Sequence, residues 1–155
     1  MSIPADLTLR MAGPDDAESV FRMVSALAAY ERLTHEVTAT PVDFKRLLAD
    51  PRHPVEVVLA ERAGTTVGFG LFFENFSTFL GKPGLYLEDL FVLPEHRRQG
   101  IGESLFAYLL ALAQERCYGR MDWTVLDWNE PAVRFYTEKL GAKLLPEWRL
   151  CRITL

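Results

Sequence analysis

The chain is short of cysteine, of positive charge and of long apolar runs. Two cysteines in 155 residues, Cys117 and Cys151, are too few for a disulfide framework and suit a reducing compartment. Neither stands in a motif that suggests a nucleophile, and both read as structural. Seventeen lysines and arginines against 21 acids leave a net charge of −4, which argues against a protein that grips nucleic acid or anionic membrane through a basic face. The most apolar run, Leu105 to Ala113, is nine residues long, where a spanning helix needs about 20. Met1 to Arg10 has no basic stretch followed by an apolar one, so it does not read as a signal peptide. His35, His53 and His96 are scattered without metal-ligand spacing, and no metal site is expected. These absences describe a soluble cytoplasmic protein.

What is present is a globular composition, 49% hydrophobic and 25% charged, at a length that predicts a single domain over residues 1–155. A chain of this size buries roughly 68–70% of its extended surface and needs no covalent staple. Leu7 to Met11 predicts a first strand. Pro14-Asp15-Asp16 opens a helix that Val20, Met23, Val24, Leu27 and Ala28 carry at helical spacing to about Arg32. A second helix is predicted over Pro41 to Ala49, capped by Thr40. Strands follow over Val55 to Arg62, Thr66 to about Asn75 and Leu85 to Leu93, then a helix over Gly100 to Arg116. The chain ends with a strand over Met121 to Leu126, a helix over Glu130 to Leu140 closed by Gly141, and a strand over Trp148 to Leu155. That order is an α/β sandwich around a mixed sheet.

Three stretches carry chemistry. The first, Arg97-Arg98-Gln99-Gly100-Ile101-Gly102, joins a strand to a helix. Glycines there let backbone approach a ligand, and the free N–H groups of a helix start favour an anion; a plain helix cap is the other reading. No Gly-Lys-Ser/Thr ending makes it a Walker loop. Leu105 stands where a dinucleotide fingerprint wants glycine.

The second stretch, Leu85 to Val92, sets Glu88 and Asp89 inside an apolar strand, where strict alternation sends them to opposite faces. Buried carboxylates are costly unless paired, so they read either as a structural pair or as a functional site. A carboxylate could bind an ammonium and then take its proton, since a lysine-like amine, pKa near 10, must be deprotonated before it can attack.

The third, Asp127 to Tyr136, has Asn129 as a helix cap, Pro131 in the first turn, and Tyr136 two turns on. Phe135 and Tyr136 read as core from composition alone.

The glycine loop resembles the Arg/Gln-x-x-Gly-x-Gly/Ala signature of the GNAT N-acetyltransferases. With Leu27-Ala28-Ala29-Tyr30-Glu31, Tyr86-Leu87-Glu88-Asp89, Trp128-Asn129-Glu130-Pro131 and Trp148-Arg149-Leu150, the chain resembles the diamine (spermidine/spermine) acetyltransferases of that family. Val125-Leu126-Asp127-Trp128-Asn129 resembles the sister branch that acetylates thialysine.

The resemblance implies a GNAT-type fold: a mixed, mostly antiparallel sheet with helices on both faces, its strands splayed at the coenzyme site. It implies acetyl-coenzyme A as co-substrate, direct attack by a small primary amine in a ternary complex, no metal, and a homodimer. It assigns Leu90, Phe91 and Val92 to the acetyl and pantetheine groups. Arg97, Arg98, Gln99, Gly100, Ile101, Gly102 and Glu103 fall to the pyrophosphate, and Asn129, Glu130, Pro131 and Ala132 to the coenzyme arm. Tyr136 becomes the acid beside sulfur, and Glu88 the base and substrate ligand. Tyr30, Glu31, Asp89 and Thr124 complete the substrate site. An amino-acid substrate would want a cation for its carboxylate, for which Arg32 is the candidate. The segment from Phe135 to Gly141 is one residue longer than the family's spacing. A protein or peptide N-acetyltransferase and a coenzyme-sensing module without chemistry are the alternative functions.

Overall fold

Apolar residues two apart on neighbouring strands build the core. Val57 and Leu59 of β2 (Glu56–Arg62) stand opposite Leu71 and Phe69 of β3 (Thr65–Ser77), and Phe69 stands opposite Phe91 of β4 (Lys82–Val92). A period of two places them on one face. There Ala17, Val20 and Met23 of α1 (Ala17–Tyr30) and Phe44 of α2 (Pro41–Ala49) pack against them. Each large side chain fully removed from water there contributes about 1.5–3 kcal/mol. The other face carries α3 (Ile101–Glu115). A Cβ added at Gly68 would lie 3.3 Å from Leu105, and one at Gly70 3.3 Å from Leu109, so the bare backbone of β3 lets α3 seat closely.

This computed structural model describes residues 4–52 and 55–155; His53 lies outside them. The sheet runs in the order β1-β2-β3-β4-β5, with β1 at Leu7–Met11 and β5 at Met121–Trp123. All pairings are antiparallel except β4 with β5. The expected α/β architecture, a mixed and mostly antiparallel sheet between helices, is the observed one. Arg10 on β1 ties the layers together, bonding Asp16 at 2.7 and 2.8 Å and Glu61 at 2.8 and 3.0 Å. Those bonds hold the Asp16 carboxyl below its ordinary range. No described helix is long and apolar enough to cross a membrane.

Met1–Trp123 and Thr124–Leu155 are two compact units. In the second, Asn129 caps α4 (Glu130–Arg134) by accepting from Ala132 N at 3.4 Å. The predicted helix to Leu140 does not continue as an α-helix. Phe135–Lys139 is a π-helical turn, closed by Leu140 N donating to Phe135 O at 3.2 Å. An i→i+5 turn holds one residue more than an α-turn, which is how the lengthened segment before Gly141 is accommodated.

Two sequence expectations change at the end of the chain. β5 spans three residues rather than reaching Leu126, and Trp148 to Leu155 is exposed and makes no strand. A strand exists only where a ladder satisfies its N–H and C=O groups, and among the described residues this segment has no ladder partner.

Candidate functional site

A bulge in β4 decides where the two carboxylates go. Leu71 pairs with Asp89 and Phe72 with Leu87, so Glu88 is an extra residue with no partner on β3. Leu87 lies opposite Phe72, on the α3 side of the sheet. Leu90 is also on that side, since a Cβ at Gly70 would meet both Leu90 and Leu109 of α3. The two residues between them, Glu88 and Asp89, therefore both belong to the α1 side. The expected opposite orientation is wrong, because alternation does not run through a bulge.

The environments of these acids differ. Glu88 is exposed, while Asp89 is partly buried and opposite the core residue Leu71. Burial first, then the charges of Glu88 and Glu31, push the Asp89 carboxyl up to about 7. Burial also raises Glu31, at the C-terminal end of α1. No cation is among the groups that shift Asp89. The bulge thus gathers Glu31, Glu88 and Asp89 into one uncompensated acidic pole, with Asp89 poised to exchange a proton near neutral pH.

The same bulge marks the end of the β4–β5 ladder. β5 pairs with β4 only from Leu85 to Leu87. Among the described residues, Leu90, Phe91 and Val92 have no ladder partner on that edge, where Val92 O accepts instead from the Arg97 side chain.

Beyond β4 the chain passes through Pro94–His96 into the glycine loop. Arg98 and Gly100 are both left-handed, with φ of 59° and 79°. No side chain caps the start of α3, whose first internal bond is Ser104 N to Gly100 O at 2.9 Å. Gly100 has only Pro4 Cγ, at 3.9 Å, within reach of an added Cβ. A 15-residue helix therefore presents uncapped N–H groups and its positive dipole end behind an open glycine, the arrangement that binds an anion. Gln99 does not face a ligand with its side chain: it accepts from Arg62 and donates to Glu95 O at 3.2 Å. Arg62, at the end of β2, has no place in the sequence motifs, yet it anchors this loop.

The two loop arginines separate. Arg98 is exposed. Arg97 is half-buried on the α1 side, its guanidinium carbon 4.2 Å from the Tyr30 ring centre and 5.3 Å from that of Phe91. Its Nε donates to Val92 O at 3.0 Å. The Arg97 side chain thus lies beside Tyr30, on the face that carries the acids.

In the second unit, Asn129 is the α4 cap and Pro131 stands in the first turn. Tyr136 is half-buried in the π turn, its ring 5.4 Å from that of Phe135, and its carbonyl accepts from Ala142 N at 3.0 Å. Thr124 is exposed at the start of this unit.

Residues 20–142 match the Acetyltransferase (GNAT) family. The chain belongs to the GNAT acetyltransferase family. This GNAT enzyme is 30% identical to an L-ornithine N5-acetyltransferase of Arabidopsis thaliana, covering 94% of this chain and 83% of the relative. It is 33% identical to a thialysine N-epsilon-acetyltransferase of Sus scrofa, covering 92% and 88%. Its fold is also that of an aminoglycoside acetyltransferase from an uncultured soil metagenomic sample, with a TM-score of 0.82 at 19% identity over 99% of both chains. The bulge, the unpaired edge after it and the uncapped glycine loop are thus features of a GNAT N-acetyltransferase. Among its described residues no group of three His, Cys, Asp or Glu side chains could hold a metal ion.

Proposed function

We propose that the chain is a single-domain, acetyl-coenzyme A-dependent N-acetyltransferase acting on the primary amine of a small molecule. The substrate is a diamine or polyamine, or an amino acid of the ornithine or thialysine kind. The observation that carries this reading is the acidic pole formed by Glu31, Glu88 and Asp89 beside an open strand edge. It supplies negative charge where a cationic amine must be held. The names of the two relatives, both acetylating an amino acid's side-chain amine, support the same class.

The glycine loop fits the coenzyme: Gly100 leaves space, and uncapped N–H groups offer an anion site. Arg98 to Glu103 would hold the pyrophosphate, Leu90 to Val92 the acetyl and pantetheine groups, and Asn129 to Ala132 the arm. Acetyl-coenzyme A supplies an activated thioester, which the amine attacks directly in a ternary complex, forming a C–N bond as C–S breaks. Glu88 and Glu31 bind the incoming ammonium, and the Glu88–Asp89 pair accepts its proton. A carboxyl near 7 is matched to that task at neutral pH. Tyr136 Oη–H is the proton source on the leaving side, since a phenol near 10 can protonate a thiolate whose conjugate acid is near 8.5. The family resemblance further supports a cytoplasmic homodimer.

The test is thiol release from acetyl-coenzyme A with a panel of diamines, polyamines, ornithine, lysine and thialysine. At least one should be turned over. Normal coenzyme binding with no turnover on any amine overturns the reading in favour of a sensing module.

A further inference from the structure

Arg98 stands in the glycine loop with a left-handed backbone, φ 59°. A residue with a side chain disfavours that conformation by about 5- to 30-fold, so its surroundings must hold it there. Gln99 Nε2 donates to Glu95 O at 3.2 Å, which closes a ring containing Arg98. That bond requires the amide to point its nitrogen at Glu95. Its oxygen then faces elsewhere, and it accepts from Arg62 Nη1. Because a guanidinium has donors only, it selects the amide oxygen and so fixes which way the Gln99 side chain points. A charged donor also makes the stronger kind of hydrogen bond.

Arg62 is itself held in place for this. Alternation along β2 from the core residue Leu59 sends it to the α3 side of the sheet. Its side chain is only 19% exposed, with Asp6 Oδ2 3.1 Å from Nε and Asp6 Oδ1 3.4 Å from Nη2. Those contacts set the guanidinium plane and leave Nη1 for Gln99. A connected path therefore runs from Asp6 through Arg62 and Gln99 to the backbone of Glu95, all of it in the unit Met1–Trp123. The residue after Gln99 is Gly100, behind which the uncapped N–H groups of α3 begin. Those groups converge on one anion only while the loop keeps this shape. If the loop is competent in only a fraction of molecules, apparent affinity falls by that fraction.

We infer that Arg62 is the positioning residue of the coenzyme loop: acting through Gln99, it holds the left-handed turn at Arg98 and so sets affinity for the coenzyme without touching it. The identity of that ligand rests on the N-acetyltransferase reading.

The experiment is a double-mutant cycle on the full chain: wild type, Arg62→Met, Gln99→Met and the double variant, with Arg62→Lys as the conservative change. Coenzyme A affinity is measured by calorimetry, and trypsin nicking after Arg98 is followed in the coenzyme-free protein. Each single methionine variant should weaken coenzyme A by about 5- to 30-fold, the preference that the clamp overcomes. The double variant should lose no more than either single one, because both break the same path. Arg62→Lys should fall between, keeping charge and donors but not the fork that spans Asp6 and Gln99. Nicking should speed up in the same order, since cleavage tracks the population of the opened loop. In steady state the loss should appear in KM for acetyl-coenzyme A, with kcat at saturation nearly unchanged.

Unchanged coenzyme A affinity in Arg62→Met overturns the inference while leaving the N-acetyltransferase reading intact. So does a double variant whose loss is the product of the two single losses, which would mean that Arg62 acts independently of Gln99. So too does a lowered thermal midpoint with neither affinity nor nicking altered, which would make the Asp6–Arg62 pair a brace of the fold alone. A wild type that binds no coenzyme A overturns the underlying reading itself. Should Arg62→Met fail to fold, Arg62→Lys and Gln99→Met decide, the latter at an exposed position.

Discussion

Leu87 and Leu90 lie three residues apart on β4 and face the same side of the sheet. A strand of strict period two would put them on opposite sides. The extra residue is Glu88, and the bulge it makes has two effects at once: it turns both carboxylates towards α1, and it coincides with the end of the β4–β5 ladder. One local irregularity thus sets both the acidic pole and the open edge beside it, as bulges next to active sites often do.

The acid limb of kcat/KM should have its midpoint near 7, because that parameter follows the free enzyme and Asp89 titrates there. Glu88 and Glu31 both raise Asp89, so removing either charge should lower the midpoint. Glu88→Gln and Glu31→Gln should each move it down, by up to about one pH unit, while Asp89→Asn should abolish this limb. Profiles measured with one amine across pH 5 to 9 check this. Midpoints that stay put in both glutamine variants would mean that another group titrates.

Asp89 should also make the fold less stable as pH rises. Its carboxyl ionises near 3.9 in an unfolded chain and at about 7 when folded, so between those values the folded state binds the extra proton. The penalty is absent below about 4, grows through that window and is fully present above 7. Asp89→Asn should thus match the wild type at pH 4 and exceed it at pH 8, by on the order of 2–4 kcal/mol. Urea unfolding at the two pH values measures the difference. A variant no more stable at pH 8 than the wild type would show that Asp89 is well solvated.

Much of this was legible in the residues, and what was not has physical causes. Helical spacing in α1 and α3, and the Thr40-Pro41 start of α2, located those helices because one face of each is buried and the pattern records it. The glycine loop was readable because its function needs particular backbone, and only glycine supplies it cheaply. The bulge at Glu88 was not: a single inserted residue leaves no mark on composition, only a shift in register that the partner strand reveals. The final strand failed for a related reason. Trp148 to Leu155 has strand-like residues, but strand formation requires a ladder partner, and sequence cannot say whether one is at hand. The setting of the Arg97 side chain was not legible either, because it is steered by two aromatic rings from other parts of the chain, Tyr30 and Phe91.

Replacing Tyr136 by Phe should slow turnover without loosening the coenzyme. Removing a general acid costs about 100-fold at the low end of its usual range, and a thiolate is already a tolerable leaving group. The ring still packs beside Phe135, so stability should change little. Coenzyme affinity by calorimetry should stay within a factor of three or so, the scatter expected of a change worth well under 1 kcal/mol. A Phe variant with full kcat would remove Tyr136 from the chemistry and leave water as the proton source.

Gly100 should tolerate added volume but not a side chain's backbone preferences. Its φ of 79° is left-handed, and an added Cβ would touch nothing nearer than Pro4 Cγ at 3.9 Å. Gly100→Ala should therefore cost about 1 kcal/mol in stability from backbone strain alone. Asparagine adopts the left-handed region more readily than alanine, so Gly100→Asn should be the more stable of the two. Function should rank them differently. Either side chain stands before the uncapped N–H groups of α3, and the bulkier asparagine obstructs them more. KM for acetyl-coenzyme A should rise about tenfold or more in Gly100→Asn, the loss of roughly one charge-assisted hydrogen bond, and less in Gly100→Ala. Thermal unfolding and coenzyme titration on the same two variants separate strain from obstruction. If stability and KM changed in the same order, backbone strain would govern both, and the open space in front of Gly100 would have no part in holding the coenzyme.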